Sequence, residues 1–150
     1  MATELGNPYT IRQTATISTA ITIIQAVAAS AKPLVAVRAW VTESASATAA
    51  QAGIEIVRKT GAGTTTAVTP VVVRPSTSAA SFTAGHNASA EGTVTDVHDG
   101  EGFNVVNGWL WLPTPDEQLV VAAAGILGSR FAAAPASQTW RYGWTLVEIG

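Results

Sequence analysis

The sequence predicts an all-β protein, an antiparallel β-sandwich of about eight short strands. Three observations lead there. Apolar residues recur at period two in runs of Val, Ile, Thr and Trp, and clusters of Gly and Pro separate these runs at short intervals. No stretch shows a convincing amphipathic helical stripe, and strands that do not alternate with helices pack as a sandwich or a barrel.

Taken in order, residues 14 to 24 are rich in Thr and Ile, whose stiff χ1 suits a pleated strand. "QAVAASA" behind them holds good helix formers and predicts a short helical turn, stopped by Pro33. "PLVAVRAWVT" alternates, with Val35, Val37, Ala39 and Val41 on one face and Leu34, Ala36, Arg38, Trp40 and Thr42 on the other. "GIEIVRK" and "AVTPVVVR" flank "TGAGT", which predicts a hairpin whose second strand Pro70 pushes to an edge or a bulge. Residues 75 to 95 are small and polar with Phe82 as the one large anchor. So long a loop inside a compact domain implies ordering by a neighbouring subunit. "DVHDGEG" reads as an acidic turn before the strand "FNVVNGWLWL". "EQLVVAAAGILGSRF" reads as two short strands broken near Gly125. "TWRYGWTLVEIG" is a central last strand, with Trp140, Tyr142, Trp144 and Leu146 on one face.

The chain fits one domain, residues 14–150, preceded by an extended N-terminal arm over residues 1–13. Only 12% of residues are charged, against roughly 25% in typical soluble domains. Ala, Ser, Thr and Gly must therefore cover much of the surface. A net charge of -2 without a basic block argues against nucleic acid as a partner. The Thr-rich apolar run near the N-terminus is too polar and short for a membrane span, and the first residues lack a secretory-signal pattern. The absence of cysteine removes disulfides, thiolate nucleophiles and the commonest zinc sites.

Polar clusters suggest little chemistry. Glu91, Asp96, His98, Asp99 and Glu101, with His86 and Asn87 upstream, could offer oxygen ligands to a hard cation, but at no calcium-loop spacing. His86 and Glu91 make only part of a cupin metal motif. There is no G-x-S-x-G elbow, Gly61–Gly63 lacks the Lys-Ser/Thr of a phosphate loop, and Glu55 with Glu148 is an unspecific pair of carboxylates. Neither catalytic residues nor a metal or cofactor site is assigned, and the chain is read as non-enzymatic.

The tryptophans carry the functional expectation. On "FNVVNGWLWL" both faces become apolar toward the C-terminal end, and residues 34 to 41 repeat the pattern. Large aromatics bury roughly 150–250 Å² each, too valuable to leave in water, and a sandwich of this size has little room for all of them. Identical copies around a symmetry axis would cover the excess. Pro8, Tyr9, Trp40, Phe82, Trp109, Trp111, Trp140 and Trp144 are the residues expected at such an interface.

"KPLVAVRAWVTES", "NGWLWLPTPDEQLVVAAAGILGSRF" and "TWRYGWTLVEIG", about half the chain, resemble the jelly-roll proteins that decorate the heads of tailed bacteriophages. The resemblance implies a jelly-roll-like sandwich and a trimer that stabilises a capsid by binding the major capsid protein at the virion surface. It would be made in the host cytoplasm, and its N-terminal arm would reach a neighbour or the shell. The alternative is a carbohydrate-binding adhesin or tail-fibre module that stacks sugars on its tryptophans or uses the loop from Pro75 to Gly102.

Overall fold

The structure, a computed structural model, describes residues 6–45, 49–75 and 78–150. Those residues form twelve strands and one 3-10 turn: β1 (Asn7–Ile17), β2 (Thr22–Val27), β3 (Leu34–Glu43), β4 (Gln51–Lys59), β5 (Thr64–Val68), β6 (Val71–Val72), β7 (Thr83–Ala90), β8 (Val94–Asn104), β9 (Trp109–Trp111), the turn Pro115–Glu117, β10 (Leu119–Val121), β11 (Ile126–Phe131) and β12 (Gln138–Glu148). All pairings are antiparallel.

The first sheet runs β6-β1-β12-β3, with β9 and β10 both lying along the outer edge of β3. The second runs β5-β7-β2-β11-β4-β8. Setting aside β5, β6 and β7, the two sheets read β1-β12-β3-β9/β10 and β2-β11-β4-β8. The first strand lies beside the last, and consecutive strands alternate between sheets except that β4 and β8 are neighbours in the second sheet and β9 and β10 share the first, which is jelly-roll order. Strands β5 to β7 are an insertion that widens both sheets.

Alternation explains the core. Tyr9, Ile11, Leu34, Ala39, Val41, Trp140, Tyr142, Trp144 and Leu146 point inward from the first sheet, and Ile24, Ile54, Ile56, Leu127 and Phe131 from the second. Trp140 sits at the centre with ring centroids 4.9 Å from Phe131 and 6.2 Å from Phe103. As its pattern predicts, β12 is central, between β3 and β1.

Several local expectations are corrected. Of the supposed arm, residues 1–5 lie outside the described residues, and residues 7–13 belong to β1, paired with β12 from Asn7↔Glu148 onward. Residues 14 to 24 are two strands in different sheets, divided at Ser18–Ile21 without a Gly or Pro to mark the break. "QAVAASA" begins as strand because Gln25 and Ala26 are buried between β7 and β11, which overrides helix propensity. No β4–β5 hairpin forms, since β5 pairs with β7 and β4 with β11 and β8. The glycine turn instead bonds the β7–β8 connection, through Thr60 N to Thr93 O and Thr93 N to Gly61 O. Residues 83–90 are not a loop awaiting a neighbour, for β7 lies between β2 and β5 of its own chain. "DVHDGEG" is strand, part of β8.

Candidate functional site

The outer face of the first sheet is built by register. Arg12 on β1 lies opposite Gly143 on β12, Gly143 opposite Trp40 on β3, and Trp40 opposite Leu110 on β9. Because Ile11, Val41, Trp109 and Trp144 point inward, these four point outward. In adjoining rows Arg141 stands between Thr14 and Thr42, and Thr145 between Thr10 and Arg38. The Arg38 guanidinium lies 4.8 Å from the Trp40 ring centroid, while Gly143 leaves room for the indole to lie against the sheet. Arg12, Arg38 and Arg141 are exposed, and among the described residues no carboxylate comes within ion-pair distance of them. A hollow of about 380 Å³ opens between Arg12, Trp40 and Arg141. Toward the free edge the face turns apolar, with Leu110 56%, Leu112 66% and Val120 52% exposed.

Around that edge, a cleft of about 360 Å³ separates β8 of the second sheet from β9 and the Pro115–Glu117 turn. Asp99 and Glu101 line it from β8, and Glu117 lines it from the turn. The Trp109 Nε1 donates to Glu101 Oε2 at 3.1 Å. Trp111 is half-buried against Trp144, ring centroids 5.8 Å apart. Gly108, at φ 70, makes the turn that carries the chain from β8 into β9.

Most other titratable candidates are engaged in holding the fold. His86 Nδ1 lies 3.0 Å from the Tyr142 hydroxyl, and burial lowers the imidazole pKa and raises the phenol's. Burial lowers His98, with the Arg58 charge adding to it and Asp96 opposing. Glu91 accepts from the Thr22 amide at 2.7 Å and from its hydroxyl, and pairs with Lys59 Nζ at 3.0 Å. Glu55 binds Arg130 on β11, whereas Glu148 binds Lys32 and Ser81 at the end of β12, so these two carboxylates sit on different sheets. The acidic and histidine residues between His86 and Glu101 are not gathered, and among the described residues no group of three or more His, Asp or Glu could hold a metal ion.

Of the residues expected at an interface, Tyr9, Phe82, Trp109, Trp140 and Trp144 are buried in the chain's own core, which corrects the idea that one subunit cannot house them. Trp140 packs on Phe131 and Phe103, Trp144 on Trp111, and Tyr9 on Phe82. Trp40, Trp111 and Pro8 remain partly accessible. The arginines and the Leu110–Val120 edge were missed. The apolar second face of "WLWL" was their one sequence signal, because the neighbours of Trp40 come from strands far apart in the chain. No protein-family model, curated protein or solved structure matches the chain.

Proposed function

We propose that this chain is a non-catalytic structural module that acts by association, a homo-oligomer coating a protein shell. The observation that carries this reading is the uncovered apolar edge. The core is complete within one chain, yet Leu110 stays exposed beside Trp40, and Leu112 and Val120 stay exposed further along the same edge of β3; exposed apolar side chains near arginines are the composition of an interface centre. The resemblance to head-decoration proteins makes a phage capsid the shell and three the number of copies. Jelly rolls also occur in lectins, so the fold alone does not choose. Glycan stacking would rest on Trp111, because Arg38 and Gly143 occupy the two sides of Trp40.

Sedimentation velocity and native mass measurement test the reading. A mass that is a multiple of 15.4 kDa, reduced to one copy by Leu110→Lys with Leu112→Lys, is the expected result. A single copy at every concentration up to the solubility limit would sink it. Co-sedimentation with undecorated phage shells tests the capsid part separately.

A further inference from the structure

Besides its internal ion pairs, this sparsely charged chain has two regions that each carry charge of one sign. Outward positions of β1, β12 and β3 carry Arg12, Arg38 and Arg141 and no acid. Residues 96 to 117 carry five acids, Asp96, Asp99, Glu101, Asp116 and Glu117, and no Lys or Arg. Three of those acids line the cleft beside half-buried Trp111. One surface is therefore a shallow sheet face studded with guanidinium groups around an apolar centre. The other is a concave, acidic and aromatic flank whose apolar rim includes Leu112 and Pro113.

We propose that these two surfaces are the two halves of one joint. The outer face of the first sheet in one copy docks on the β8–β9 flank of the next, head to tail, with arginine side chains entering the cleft. This rests on the assembly reading above and adds the partner surfaces and their orientation. The argument is charge complementarity. The cations are all Arg, whose planar fork matches a carboxylate with two parallel hydrogen bonds and stacks on an aromatic ring, and Arg is enriched at interfaces where Lys is depleted. Asp99, Glu101, Glu117 and Trp111 supply both kinds of counterpart in one cleft. A face that met its own copy by a two-fold axis would instead set Arg12, Arg38 and Arg141 against their like, which costs association energy. A head-to-tail joint uses a different patch on each side, so its repetition closes a ring when the rotation from copy to copy divides a full turn and makes an open filament when it does not.

The test is charge reversal followed by mass measurement. Arg12→Glu with Arg141→Glu reverses the face, and Asp99→Lys with Glu117→Lys reverses the flank. Near-ultraviolet circular dichroism of the buried tryptophans verifies that each variant is folded, and single reversals replace any pair that is not. Each pair alone should weaken association about 100-fold or more, since like charges across a joint cost several kcal/mol. Placing all four substitutions in one chain should restore it, whereas mixing the two variants should restore only the unlike joints, because two kinds of copy cannot alternate around a ring of three. Wild-type association should also weaken as salt is raised. Reversals that leave an assembled mass unchanged, or a folded quadruple variant that fails to re-associate, would overturn the joint and leave the assembly reading standing. A wild-type chain that never associates would overturn both.

Discussion

Gly143 and Trp40 form a close contact on the outside of the first sheet: a Cβ on Gly143 would stand 2.3 Å from Cζ2 of the indole and 2.6 Å from the Ile11 carbonyl oxygen. The absence of a side chain in the middle of a central strand is thus what lets Trp40 lie against the sheet with Arg38 over it. Gly143→Val should expel the indole, break the Arg38 stack and strain the β1–β12 ladder. Overpacking of this kind costs about 1–3 kcal/mol. Chemical denaturation should record that loss together with red-shifted Trp40 emission. An unchanged spectrum would mean that the indole does not depend on this contact.

Lys59 and Glu91 make an unequal pair. The Lys59 side chain is fully buried and bonds Thr22 Oγ1 at 2.6 Å, whereas the Glu91 carboxylate keeps 30% of its exposure. Removing the acid leaves a buried cation without a counter-charge, so Glu91→Gln should cost about 3 kcal/mol or more. Lys59→Met, which leaves a carboxylate that water reaches, should cost less. Equal losses in the two variants would contradict the burial asymmetry.

The same contacts set a pH dependence. Burial alone would raise Glu91, but the Thr22 hydrogen bonds and Lys59 outweigh it and hold the carboxyl below its ordinary range. Glu148 follows the same balance with Ser81 and Lys32. A folded-state pKa below the unfolded one gives stability that is complete above the ordinary carboxylate range and lost as pH falls through the lowered value. His86 and His98, also lowered, are held neutral by the fold, so their contribution fades as pH drops below the ordinary histidine range of roughly 6.5. Unfolding free energy measured against pH should decline on acidification in two stages, and His86→Gln should diminish the upper one.

Deleting residues 1–12 should now destabilise the domain itself. The deletion removes Tyr9 and Ile11, both fully buried, and six register pairs with β12 from Asn7↔Glu148 to Arg12↔Gly143. Burying each such side chain is worth about 1.5–3 kcal/mol. Thermal unfolding should show a large fall in midpoint or no cooperative transition. A truncated chain as stable as the parent would restore the arm.

Fold class and the strands with strict alternation were legible because period two is written in the residues themselves. Trp140, Tyr142, Trp144 and Leu146 could point only one way once β12 was a strand. Pairing was not legible: nothing in "TGAGT" tells whether β5 returns to β4 or crosses to β7. Nor could Ser18–Ile21 announce a change of sheet, since small polar residues also occur within strands. The site suffered most. Arg12, Trp40, Leu110 and Gly143 form one outward row across four strands, and that row exists only after register is fixed.

Tryptophan emission tests the consequences of that row and of the cleft together. Trp109, Trp140 and Trp144 are buried, so the chain's emission should be blue-shifted and mostly resistant to acrylamide. The quenchable fraction should come from Trp40 and Trp111 and disappear when both are replaced by Phe. Conditions that promote association should lower quenching of these two indoles, because the joint covers the sheet face and the cleft at once. If sugars fill the cleft instead, added glycans should perturb Trp111 and leave a Trp111→Phe chain unresponsive. Protection of both indoles that depends on protein concentration, with no response to glycans, would separate assembly from sugar binding on a single sample.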